Sequence, residues 1–111
     1  MVKSYIPHRG DLVWLNFTPQ SGHEQTGKRP ALVLTTKEYN SKVGLAFFCP
    51  VTSKEKGYPF EVKIRTKKIS GVILSDQVRS LDWSSRNIEY IAKVSDAELE
   101  AVLNRIKVLI F

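Results

Sequence analysis

Residues 88–94 read Ile88-Glu89-Tyr90-Ile91-Ala92-Lys93-Val94, and Ser95-Asp96-Ala97-Glu98-Leu99 follows directly. The period of the chain changes between these two pieces. The first is a short candidate strand. From the second onward, Leu99, Val102, Leu103, Ile106 and Ile110 recur at helical spacing and mark one face. Ser95 and Glu98 form a capping box, in which serine and glutamate satisfy free amides at a helix start. Asp96, Glu98 and Glu100 sit early and Arg105 and Lys107 late, as the helix dipole favours. The chain therefore closes on a helix.

Upstream, short strands dominate. Residues 11–17, Asp-Leu-Val-Trp-Leu-Asn-Phe, are rich in β-branched and aromatic types. Residues 18–28 contain Pro19, Gly22 and Gly27 without apolar periodicity, and read as a long loop. Residues 31–36 form a second strand after Pro30, and residues 45–51 a third. Pro50, near the end of the third, predicts an edge or a bulge there. After a polar loop at 52–59, residues 60–65 alternate strictly, with Phe60, Val62 and Ile64 facing in. Residues 71–75 and 77–82 add two candidates. Five to seven strands and one helix predict a small, strongly bent antiparallel barrel in a single domain, 1–111.

Composition narrows the function. At 111 residues and 42% hydrophobic, the chain supports one core. No apolar run is long enough to span a membrane, and residues 1–10 lack a signal-peptide core, so a cytoplasmic protein is expected. Cys49 stands alone in an apolar run; it reads as a buried small hydrophobe, with a nucleophile as the rival reading. His8 and His23 have no neighbouring ligand set, so no metal and no cofactor are expected. The net charge is +6, and residues 37–68 hold eight Lys/Arg against three Glu. That surplus fits a polyanion or an acidic protein partner, or merely a solvated face.

Two loops carry residues that core packing does not explain. Gly22-His23-Glu24-Gln25-Thr26-Gly27-Lys28-Arg29-Pro30 can present amides and cations to a phosphate. Pro50-Val51-Thr52-Ser53-Lys54-Glu55-Lys56-Gly57-Tyr58-Pro59 offers hydroxyls, lysines and an aromatic ring, a mixture suited to RNA. Either loop could equally be solvated surface, and Tyr58 could be turn packing.

Taken together, these pieces resemble the MazF/PemK toxin family, nearest its MazF branch. The resemblance rests on Gly10-Asp11-Leu12-Val13-Trp14, on both loops, on Lys56-Gly57-Tyr58-Pro59-Phe60, on Gly71-Val72 with Ser75-Asp76-Gln77-Val78-Arg79-Ser80, and on the final helix. It covers essentially the whole chain in order. It implies an SH3-like barrel with a C-terminal helix, a homodimer, and metal-independent cleavage of single-stranded RNA to a 2′,3′-cyclic phosphate and a 5′-hydroxyl. It also implies an antitoxin partner with an acidic, partly disordered tail.

Carried onto this chain, the resemblance points to Arg29 and Thr52 as catalytic groups. A guanidinium is a poor base, so the natural role of Arg29 is electrostatic. Thr52 can donate to a phosphate oxygen. Glu24 is the candidate base for the 2′-hydroxyl, and His23 a second candidate acid; whether Glu24 or Arg29 handles the proton stays open. Gln25, Lys28, Lys54, Lys56, Tyr58, Asp76, Gln77 and Arg79 would line the RNA path. Phe17 and Trp83 are stacking candidates, though a core role is the favoured reading for each. The PemK branch carries an arginine two residues before the aspartate that matches Asp76; here that position is Leu74. Asp76 is therefore assigned to binding. Two other classes fit the barrel: a toxin that traps DNA gyrase, and a nucleic-acid-binding module without turnover.

Overall fold

The computed structural model describes residues 5–17 and 27–111. Strand β1 (Asp11–Asn16) is followed by β2 (Lys28–Val33), helix α1 (Lys37–Val43), β3 (Ala46–Thr52), β4 (Glu61–Arg65), β5 (Ser70–Leu74), β6 (Arg79–Leu81), a 3₁₀ turn (Trp83–Ser85), β7 (Glu89–Lys93) and helix α2 (Asp96–Ile110). The strands lie in the order β4-β5-β3-β2-β1-β7, with β6 also paired to β3. Every pairing is antiparallel. The sheet curls into a half-barrel with α2 against it, as the mainly β reading anticipated.

The central strands are covered on both faces. Leu12, Leu32, Cys49 and Val51 face Val62, Ile64 and Ile73 of the β4–β5 hairpin and Val102 of α2. Val13, Leu15, Ala31, Val33 and Phe48 point the other way, onto Leu81, Trp83 and Ile88. Two buried faces explain why these strands read as continuous apolar runs, while the β4 segment alternates.

The structure corrects several sequence expectations. Strand β3 is not an edge. Its residues Ala46, Phe47 and Phe48 pair with β6, and Val51 and Thr52 with β5. Pro50 falls between the two partners, opposite only Ala31 of β2, so its missing N–H breaks no ladder on that side. Strand β2 begins earlier than expected because Arg29 and Lys28 pair with Leu15 and Asn16. Helix α1 was not anticipated. Its signals were Thr36, whose hydroxyl caps Tyr39 N, and Gly44, which ends it at φ 80°. On α2, Leu99, Leu103 and Ile106 pack on the core, but Ile110 is 67% exposed because the helix outruns the sheet.

Two polar clusters fix the N-terminal segment. Buried Asp11 accepts from the Tyr5 hydroxyl and His8 N, and pairs with Lys93 Nζ at 2.9 Å. Burial and the Asp11 carboxylate push the Tyr5 phenol well above its usual range. Fully buried Asn40 donates to the Pro7 and Thr35 carbonyls at 2.8 and 3.0 Å, and accepts from Thr35 Oγ1. Its own carbonyl accepts from Trp83 Nε1 at 3.0 Å. Truncating Asn40 removes the donor from the Pro7 and Thr35 carbonyls. Asn40→Ala should therefore lower the unfolding free energy by about 2–3 kcal/mol, read from urea denaturation.

Cys49 is fully buried, and burial pushes its thiol up from 9.0 to about 12, with the Asp76 charge adding to the shift. A thiol that stays protonated when folded stabilises the fold only until the unfolded thiol ionises. Stability should thus fall as pH rises from about 9 towards 12, by at most about 1.4 kcal/mol per pH unit from this group. Urea midpoints measured across that range should show the decline, and Cys49→Ala should make it shallower.

Candidate active site

Arg29 and Thr52 come from neighbouring strands and line a common cleft. Arg29 stands on β2, exposed, one residue before Pro30. Thr52 ends β3, where the strand has already changed partner and lies against Val72 of β5. The two share the wall of a cavity of about 310 Å³ with Lys54, Lys56, Tyr58 and Gln77. That size suits a nucleotide-scale ligand.

Local hydrogen bonds set up the chemistry. Thr52 Oγ1 accepts from Lys54 N at 3.1 Å, which fixes the oxygen and leaves its proton free to donate. The Glu61 carboxylate accepts from Lys56 N and Gly57 N at 2.9 and 2.8 Å. Arg105 Nε of α2 donates to the Pro59 carbonyl at 2.9 Å. The 54–60 turn is thereby held from both sides while its lysines stay exposed. The Tyr58 hydroxyl donates to Asp76 Oδ1 at 2.7 Å, and that bond raises the phenol's pKa. Tyr58 is a neutral donor at physiological pH, and Asp76 orients it.

Of the residues singled out in the sequence, the cleft gathers Arg29, Thr52, Lys54, Lys56, Tyr58 and Gln77. Asp76 joins through Tyr58. His23, Glu24 and Gln25 lie outside the described residues. Four others stand elsewhere. Lys28 pairs with Glu89 at 2.8 Å, since neighbours on a strand face opposite ways and Arg29 takes the cleft side. Phe17 is 5% exposed, packed in the second core cluster, with the Arg79 guanidinium 5.6 Å from its ring centre. Neither Phe17 nor Arg79 is thus brought to the cleft, and Trp83 is likewise a core anchor through Asn40. Leu74, where the PemK branch has arginine, does line the cleft, so that position brings no charge to it.

Sequence reasoning missed Glu61 and Gly71. Gly71 has φ 154°, and a Cβ there would lie 2.5 Å from the Thr52 carbonyl oxygen. No larger residue lets β5 approach Thr52 so closely. The signal was present, a glycine opening an apolar strand. Among the described residues, no group of three His, Cys, Asp or Glu side chains is placed to hold a metal ion.

A curled barrel that sets an arginine, a threonine hydroxyl and two lysines round one cleft offers the cations and the donor that an anionic ligand needs. Comparison with known proteins narrows that class. The model of the PemK-like, MazF-like toxins of type II toxin–antitoxin systems matches residues 8–110, and this chain belongs to that family. The chain is 44% identical over 110 residues to the endoribonuclease toxin MazF of Escherichia coli (strain K12), covering 99% of each. The crystal structure of MazF (Form-I) from Deinococcus radiodurans superposes with a TM-score of 0.85 at 52% identity, covering 96% of this chain and 97% of that one. MazF in a MazE–MazF crystal structure (Form-II) from the same organism superposes with a TM-score of 0.85 at 47% identity, covering 96% of each chain.

Gly71→Ala forces β5 away from Thr52. It should cost about 1–3 kcal/mol of stability by urea denaturation. Any activity of the site should fall with it at temperatures where the variant is still folded.

Proposed function

We propose that this chain is the endoribonuclease toxin of a type II toxin–antitoxin pair, cutting single-stranded RNA without a metal ion. The observation that carries this reading is the shared cleft of Arg29 and Thr52, flanked by Lys54, Lys56 and Tyr58. The 2′-hydroxyl attacks the adjacent phosphorus and the P–O5′ bond breaks, leaving a 2′,3′-cyclic phosphate and a 5′-hydroxyl. Arg29 stabilises the charge that develops on the phosphoryl oxygens, and Thr52 donates a hydrogen bond to one of them. Glu24 takes the 2′-hydroxyl proton, and the leaving 5′-oxygen gains a proton for which His23 is the candidate donor. Lys54 and Lys56 hold flanking phosphates, while Tyr58, positioned by Asp76, and Gln77 meet the bases.

The antitoxin partner is acidic and MazE-like. The complexes solved for the similar Deinococcus protein support such a partner, and the +6 charge suits an acidic tail as well as RNA. The active form is a homodimer. The end of α2 exposes Val108, Leu109, Ile110 and Phe111, apolar surface that a second copy would cover. The compartment is the cytoplasm, where the RNA is.

The test is incubation of purified protein with a long single-stranded RNA in EDTA, followed by end mapping. Discrete cuts with 5′-hydroxyl ends are expected. Arg29→Ala should slow them by at least ~100-fold with an unchanged circular dichroism spectrum. Intact RNA from a folded protein would overturn the ribonuclease reading and direct attention to DNA gyrase inhibition, to which Arg29 should matter little.

A further inference from the structure

The catalytic cleft uses only part of the basic charge of the chain's middle. The β4–β5 hairpin carries Lys63, Arg65, Lys67 and Lys68 against the single acid Glu61, whose carboxylate is turned to the 54–60 turn. Lys63 and Arg65 alternate with buried Val62 and Ile64, so both stand on the outer face of β4. Among the described residues, Arg65, Lys67 and Lys68 enter no side-chain ion pair. The fold therefore gains nothing evident from this charge.

The surface joins the hairpin to the cleft. A second cavity, of about 340 Å³, also has Arg29 and Thr52 in its wall, with Trp14, Pro30 and Ile69 as its apolar lining. It shares Ser53 and Ser70 with a third cavity, of about 550 Å³, walled in part by Lys63 and Arg65. One trench thus runs from Lys54 and Lys56, past Arg29 and Thr52, over Trp14 and Ile69, to the cations of β4. Its sequence of surfaces is cationic, apolar, cationic. That order matches a strand of nucleic acid, in which phosphates alternate with flat apolar bases. Two acids also line the third cavity. Glu55 meets Lys63 at 3.6 Å on the exposed surface, a contact a phosphate can displace. Glu98 is engaged by Ser95 N and Arg65 N at 2.9 and 3.1 Å.

We propose that the β4–β5 hairpin extends the RNA path beyond the cut. The Trp14–Ile69 cavity takes the nucleobase next to the phosphate held by Arg29 and Thr52. Lys63 and Arg65 take the phosphates further along the same side. This rests on the ribonuclease reading above.

The test uses RNA oligonucleotides centred on the mapped cut and shortened stepwise on each side. Cleavage efficiency, kcat/KM, is measured for the native protein and for the double variant Lys63→Gln/Arg65→Gln. Three further nucleotides on one side should raise the native value by ~10-fold, and the double variant should lose that gain while cutting the shortest substrate normally. Its salt slope on the long substrate should shrink by about 1.4, for two phosphate contacts to a single strand. An abasic nucleotide beside the cut on that side should lower the native value by ~10-fold. No gain with length, or a gain that survives in the double variant, overturns the proposal. If the long RNA is not cut at all, the ribonuclease reading fails first and takes this one with it. A double variant that keeps its length gain but loses affinity for poly-glutamate assigns the hairpin to an acidic protein partner, and overturns the RNA path as well.

Discussion

Strand β3 serves two partners on one edge, and the change of partner falls at Cys49 and Pro50. The rest of the molecule follows from that constraint. A strand that leaves β6 and joins β5 must turn, and the sheet turns with it. The turn folds the β4–β5 hairpin back over Leu12, Leu32 and Val51, which closes the main core. It also delivers Thr52 to the junction, where the absence of a Cβ at Gly71 lets the two backbones meet. Arg29 reaches the same place from β2 because that strand continues past its pairing with β3. The proposed catalytic pair, Arg29 and Thr52, is thus held by strand ladders and needs no loop to position it. Sites built on such elements keep their geometry more strictly than loop sites.

Much of this was legible in the chain. The capping box at Ser95 and the dipole-matched charges fixed α2, and the alternation of Phe60, Val62 and Ile64 fixed β4. The apolar runs gave β1, β2 and β3 their places but not their bounds, because a strand buried on both faces has no alternation to reveal its ends. Arg29 looked like a loop residue for that reason; its pairing with Leu15 is a long-range fact that local pattern cannot carry. The positions of Phe17 and Lys28 were open for a similar reason. Each type suits RNA, but only the direction of a side chain on its strand decides between cleft, core and surface. Helix α1 was overlooked although Thr36 and Gly44 bracket it, since seven residues hold barely one period of an amphipathic pattern.

The charge of the molecule is distributed by how much freedom each element leaves it. Carboxylates near the cleft are engaged in structural bonds: Glu61 with the turn amides, Asp76 with Tyr58, Glu98 with the start of α2 and the end of β4. The cations around them, Lys54, Lys56 and Arg29, stay at the surface. A ligand phosphate therefore meets positive charge whose negative neighbours are already neutralised by donors. This arrangement gives attraction over distance and leaves little to be displaced on contact.

The proton transfers are where the cleft, as described, is incomplete. Arg29 holds its proton far too tightly to serve as a base at neutral pH, and Thr52 can only donate. The proposed base, Glu24, lies outside the described residues, which are tied together on either side of it at Phe17 and Gly27. Phe17 N donates to the Gly27 carbonyl at 3.3 Å. Arg86 Nη1 donates to the carbonyls of Asn16 and Phe17 at 3.0 and 2.8 Å, while its Nε pairs with Asp82 at 2.8 Å. An arginine held by these three partners fixes the end of β1. Gly27 opens the next described stretch, and Arg29 follows two residues later; four residues separate Glu24 from Arg29 in the sequence. The proposed mechanism thus divides its labour: Arg29 and Thr52, held on strands, supply charge complementarity, and the proton acceptor is asked of a residue outside those strands.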